Sequence, residues 1–363
     1  MATNTIAASD FADTKKGLEK GLDWYQCSID RKVLNKLSEK NDWQPFLHIV
    51  AQLSFSTATG AFAFWAFHNL SWPWIFLAVY FHCSFYKFFG HGTGGHELSH
   101  KTVFKTQALN DFFIRIVGFL TYFNYIWFRH SHVKHHQFTV HHELDMEVEL
   151  PQQYPWYQVI GAFTFSIRDF NRILPRLFRN TFGRRREVIL KSVWEQRITP
   201  ETKPEALKRM VNFSRIILGG HLALAIVFIV TGNWILLFLV TFAPFIAMWF
   251  VVLTHLPQHK GMKPDVADWR QSTRTYLAGP IVRFFYWNMN YHVEHHMFPA
   301  VPFYNLPKLR KAIEDDLPIA TKGLVATWVD IFKTLKRQKK DPDYYAELVY
   351  PEKTGTGELP IAV

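Results

Sequence analysis

The chain alternates long apolar runs with stretches rich in histidine and basic residues. From Phe46 to Leu70 it reads FLHIVAQLSFSTATGAFAFWAFHNL, without an Asp, Glu, Lys or Arg. As a helix rising about 1.5 Å per residue, such a run crosses a hydrocarbon core of about 30 Å. Ser71-Trp72-Pro73-Trp74 turns it in an aromatic belt, and Ile75 to Phe89 returns, with Lys87 placed to snorkel toward headgroups. A second pair is cleaner. Ile216 to Val230, a Thr231-Gly232-Asn233 turn and Trp234 to Leu253 carry no charged residue between Arg215 and His255. The pattern predicts four transmembrane helices in two returning hairpins, at about 46–70, 72–89, 214–231 and 234–254. A buried helix pair of a soluble protein is the competing reading, and the length of the uncharged stretch weighs against it.

Two returning hairpins leave both ends of the chain and its middle segment on one side of the membrane. That middle segment, Lys101 to Arg215, and the stretch after His259 hold most of the Lys and Arg, whereas the hairpin turns hold none. The shared face is therefore cytoplasmic. On it, Phe112 to Phe128 with Arg115 inside, and Trp156 to Phe182 with Arg168, Arg172, Arg176 and Arg179, read as helices lying in the interface, bases toward lipid phosphates. The expected fold is all-α and integral to the membrane: a cytoplasmic arm over 1–45, a membrane domain over 46–310 with a helical cytoplasmic cap, and a tail over 311–363. A net charge of +11 suits an anionic surface, and the apolar runs make that surface a membrane rather than nucleic acid. Met1 to Lys20 lacks the apolar core of a secretory signal. Cys27 and Cys83, far apart, provide neither a disulfide scaffold nor a cysteine-rich zinc site, so metal chemistry must rest on nitrogen and oxygen ligands.

Nitrogen ligands are abundant. His96 and His100 lie in GHELSH, His132, His135 and His136 in HSHVKHH, and His292, His295 and His296 in YHVEHH. Imidazoles at i, i+3 and i+4 share a helical face. Crowded imidazoles repel once protonated, so three such clusters point to bound metal. His96-Glu97-Leu98-Ser99-His100 is also a literal H-E-x-x-H, which on a helix holds zinc in metalloproteases with the Glu as general base. A single catalytic zinc needs three protein ligands and would leave most of eight clustered histidines idle. Glu97 to His100 fits half of a carboxylate-bridged di-iron bundle, but no second Glu-x-x-His accompanies it in the other clusters. Two ions sharing eight or nine imidazoles account for the inventory better, and imidazole alone does not choose among iron, zinc and copper. Glu97, Asp145, Glu147, Asp268 and Glu294 are candidates to receive imidazole N–H groups. His130, His141 and His142 flank the second cluster out of register. Pro299 and Pro302 should end the third helix promptly.

GHELSHKTVF, then HVKHH, then NYHVEHHMFPAVPFYNLP resemble the three histidine boxes of the integral-membrane fatty acid desaturase and hydroxylase superfamily, over roughly Phe46 to Pro307. The resemblance implies a di-iron site bound by His96, His100, His132, His135, His136, His292, His295 and His296. It also implies O2 as oxidant and four membrane helices under a cytoplasmic cap. A ninth ligand is expected in Thr254-His255-Leu256-Pro257-Gln258-His259, with His259 preferred and His255 the alternative. The activity so implied is desaturation of a fatty acyl chain or similar lipid. The alternative within the superfamily is a hydroxylase or ketolase acting on alkyl or carotenoid substrates, and the remote one is a membrane zinc protease. No His-Pro-Gly-Gly haem motif is visible, so electrons would come from a separate cytochrome b5 or ferredoxin. The implied location is the endoplasmic reticulum in a eukaryote and the inner membrane in a bacterium.

Overall fold

The computed structural model describes residues 22–90, 93–142, 144–145, 147–148, 150, 156–182 and 203–352, and they are mostly helical. Helix α1 (Arg31–Leu37) is capped by Asp30, whose carboxylate accepts from the N–H groups of Lys32 and Val33. Helix α2 (Trp43–Asn69) is joined through Leu70-Ser71 to α3 (Trp72–Tyr86), which has Pro73 in its first turn, where a missing N–H costs nothing. The two pack against each other along their lengths. His82 ties them to a third segment: its Nδ1 lies 2.9 Å from Thr59 Oγ1 on α2 and its Nε2 2.9 Å from the carbonyl of Leu239. Both ring nitrogens are thus satisfied in apolar surroundings.

Helices α4 (Gly94–His100), α5 (Gln107–Leu120) and α6 (Tyr125–Gln137) follow, with α7 (Trp156–Phe163) and α8 (Ile167–Thr181) beyond them. Helix α9 (Pro204–Val230) runs beside α8 and is tied to the start of α6 by Asn124, whose side-chain amide donates to Met210 O and Ser214 Oγ at 3.0 and 2.9 Å. By length and composition α2 and α9 can each cross a membrane. Only 22% of the most apolar stretch of either is buried within the chain. Apolar surface on that scale needs a partner other than water.

The segment after α9 departs from the expected straight helix over 234–254. Past a turn at Gly232 it makes wide π-type turns over Leu237–Thr241, a tight 3-10 turn over Ala243–Phe245 and an extended step, and resumes only as α10 (Trp249–His255). Pro244 has no N–H to give, and its ring opposes a continuous helix. The backbone freed by the break is taken up by the link between α7 and α8. The Ser166 N–H donates to Phe245 O and the Ala247 N–H to Thr164 O, both at 2.8 Å. Main-chain polar groups in an apolar setting require such partners.

Past α10, and besides two short helical turns at Trp269–Ser272 and Pro280–Phe285, come the strand β1 (Tyr276–Leu277), α11 (His292–Met297), α12 (Leu306–Ile313), the strand β2 (Thr321–Lys322) and α13 (Leu324–Gln338). β1 and β2 pair in parallel, Tyr276 opposite Thr321. Both described ends fold back onto the histidine-bearing core. Trp24 stacks on Trp269 at 4.3 Å and donates from its indole to Gln137 O, while Arg270 lies over the Tyr25 ring and grips Asp316 at 2.8 Å. Trp328 on α13 donates to Leu253 O at the end of the broken segment.

Candidate metal centre and its cavity

Three short helices present the clustered histidines. Gly94 and Gly95 open α4, where a Cβ at Gly95 would lie 2.8 Å from Phe123 Cε1 and 3.0 Å from Gly90 O, so the close approach of these segments demands glycine. The helix closes at Lys101 in the left-handed conformation, φ 61°. On α6, Asn124 caps the N-terminus through its side-chain oxygen. On α11, six residues suffice to carry all three buried imidazoles before Pro299.

Nine imidazoles meet in two groups. His96, His100, His132, His136 and His295 form one; His135, His259, His292 and His296 form the other. Within each, one nitrogen per ring lies within 4.8 Å of all the rest. His132 Nε2 is 2.9 Å from His100 Nε2 and 3.1 Å from His136 Nε2, while His292 Nε2 is 3.2 Å from His259 Nε2 and 3.1 Å from His296 Nε2. Neighbouring nitrogens around an ion with bonds of about 2.0–2.1 Å fall about 3 Å apart. His255 lies nearby and joins neither group.

The outward nitrogens explain why the inward ones are lone pairs. The Nδ1–H of His96 donates to Glu97 at 2.9 Å, that of His132 to Glu147 at 3.1 Å, that of His135 to Asp145 at 2.9 Å, and that of His259 to Ser272 O at 3.0 Å. Thr139 spends its hydroxyl hydrogen on His135 O, so its oxygen accepts from His296 Nδ1 at 3.1 Å. Five tautomers are thereby set with Nε2 left bare, a donor set suited to metal and poorly suited to an empty core. The carboxamide of Gln258 lies 3.0 Å from His292 Nδ1.

Burial, followed by the neighbouring imidazoles, holds His132, His136, His292, His295 and His296 far below the ordinary histidine range. The same causes put His100 at about 3, and burial with His135 nearby puts His259 at about 3. The neutral, ligating form therefore prevails. His135 differs: burial works to lower it, but the charge and hydrogen bond of Asp145 outweigh that and raise it.

Two of the five carboxylates singled out by sequence serve elsewhere. Glu294 accepts from Arg310 at 2.7 Å and from Thr275 at 2.5 Å, tying α11 to α12, and Asp268 caps a short turn and holds Arg270. Thr139, Gln258 and the carbonyl of Ser272 take part instead. A search for acids alone passes over them, although Thr139 lies one helical turn past His135 and Gln258 adjoins His259 in sequence. His141 is buried with its Nδ1 at Thr139 O, and His142 is exposed against Asp265. Neither joins a group, nor does His130.

The fatty acid desaturase family model matches residues 71–328, which include all nine imidazoles. The chain belongs to the fatty acid desaturase family. A curated relative, dihydrorhizobitoxine desaturase of Bradyrhizobium elkanii, is 27% identical over 254 residues, covering 66% of this chain and 68% of that protein. Membership makes the chain an enzyme of desaturase-like type.

A desaturase needs room for substrate beside its metals. A cavity of about 1210 Å³ adjoins the second group, with His259, Gln258, Glu147 and Phe128 in its wall. α7 and α8, the broken segment and Lys87 enclose the rest. The Lys87 side chain does not snorkel outward as the sequence suggested; it is buried at this wall, under the ring of Phe245.

Proposed function

We propose that the chain is a membrane desaturase which removes two hydrogens from adjacent carbons of a fatty acyl chain or similar lipid, with two iron ions held by the nine imidazoles. The observation that carries this reading is the pair of largely buried imidazole groups whose bare nitrogens converge at about 3 Å, the spacing of ligands around one ion. Iron, when bound, supplies with O2 the oxidising power that an unactivated methylene requires. The balance is a saturated carbon pair, O2, two electrons and two protons giving the alkene and two waters, the electrons arriving from a separate cytochrome b5 or ferredoxin.

The protein's part is positional. α4, α6 and α11 fix the donors, and Glu97, Asp145, Glu147, Thr139 and Ser272 O hold their tautomers. The apolar share of the cavity wall, Phe123, Phe128, Val251 and Val252 among it, keeps water from the reacting carbons. Glu97 lies behind His96 as its hydrogen-bond acceptor, which favours this reading over a protease in which that carboxylate would serve as general base.

In this reading α2, α3, α9 and the broken segment through α10 cross the bilayer, so that the membrane domain spans about 46–310. The arm before it and the tail after 310 share the cytoplasmic face with the imidazoles. The exposed Trp72 and Trp74 at the α2–α3 turn suit the opposite interface. The setting is the endoplasmic reticulum in a eukaryote and the inner membrane in a bacterium. Expression in a host lacking such products, with mass spectrometry of its lipids, should show a loss of two hydrogens. A gain of one oxygen would reassign the enzyme as a hydroxylase, and a purified chain without about two irons would overturn the proposal.

A further inference from the structure

Lys87 sits in the 3-10 turn that continues α3, is 9% exposed, and lines the cavity that adjoins the second imidazole group. Its Nζ makes neither a hydrogen bond nor an ion pair among the described residues, and the Phe245 ring lies 5.8 Å away at the centroid. An ammonium removed from water without a counter-charge is costly, and such a group persists where something else satisfies it. The same wall carries Arg168, Arg172 and Arg176 on α8. Against these cations stand Asp169, which is felt by Lys87 without pairing with it, and Glu147, already committed to His132 and Ser131. Among the described residues of this wall Lys87 is the buried cation for which no carboxylate stands within ion-pair distance.

We propose that Lys87 binds the anionic end of the substrate, a carboxylate or a phosphate, inside the cavity, so that the enzyme accepts an acyl or alkyl chain carrying a negative head rather than a neutral one. This rests on reading the cavity as the substrate site of the desaturase. The cation fixes one end of the chain and the imidazole groups meet it further along, so that the distance between them selects which carbons react.

The test uses binding, which needs no turnover. The full-length protein in neutral detergent is titrated with hexadecanoate, hexadecyl phosphate and hexadecanol by displacement of a fluorescent fatty acid. Wild type should bind at least one of the two anions about tenfold more tightly than the alcohol, the difference one charge-assisted hydrogen bond supports; the tighter anion names the head group. Lys87→Met and Lys87→Gln should bring that ratio near unity while leaving the alcohol's affinity as it was, and Lys87→Arg should restore it. An equal affinity for all three ligands in wild type, or a preference that survives in either neutral variant, would overturn the assignment. Two neutral variants are read in parallel so that poor folding of one leaves the other decisive. A failure of the lipid assay with the anion preference intact would count against the desaturase reading alone.

Discussion

The two imidazole groups differ in what stands behind them. The group of five, with His100 and His136 only partly buried, leans on acids: Glu97 behind His96 and Glu147 behind His132. The group of four is wholly buried and leans mostly on neutral partners, Thr139 behind His296, the Ser272 carbonyl behind His259 and the Gln258 carboxamide beside His292, with Asp145 behind His135 the one acid. An ion in the second group would have fewer donors and fewer carboxyl groups behind them, and it would lie beside the cavity through His259 and Gln258. If both groups hold ions as proposed, the difference implies a division of labour, one side suited to retention and the other to access.

The harshest way to test that division is to remove a ligand. His292→Ala and His132→Ala should each abolish product formation, and metal analysis should find about one iron per chain where wild type holds about two. Chelation comes next. A mild chelator should strip the four-imidazole ion first, so that activity falls to nothing while about half the iron remains; simultaneous loss of both ions would erase the distinction. Neutralising a partner is gentler. Glu147→Ala and Thr139→Val should weaken metal binding by about ten- to a hundredfold, the usual cost of losing such a contact, with Glu147→Ala costing more. Were Thr139→Val the costlier, the acids would not be what retains the first ion. The smallest effect is expected from Glu97→Gln, whose side-chain oxygen can still accept from His96: iron content near wild type and a loss in rate of at most about tenfold.

Clustering was legible because helical register is local. The partition between groups was legible in principle as well. At 3.6 residues per turn, i and i+4 differ by about 40° while i+3 lies about 60° to the other side. His132 and His136 accordingly fall in one imidazole group and His135 in the other, just as His292 and His296 part from His295. His259 over His255 came from the family resemblance, not from spacing. What local pattern could not carry was anything decided by a distant partner. The break after Phe242 depends on main-chain groups some 80 residues earlier, at Thr164 and Ser166. The inward turn of Lys87 depends on a cavity shaped by α7, α8 and the broken segment. Thr139 and Gln258 carry no charge, and only the fold shows that they face imidazoles.

The seam between Thr164–Ser166 and Phe245–Ala247 makes α7 and α8 indispensable to the apolar interior rather than an optional insertion on it. Deleting 156–182 would leave the Phe245 carbonyl and the Ala247 amide without the partners they have here. Evolution can therefore redraw the exposed faces of those two helices freely, changing what approaches from the outside, while the two hydrogen bonds beneath them stay as they are.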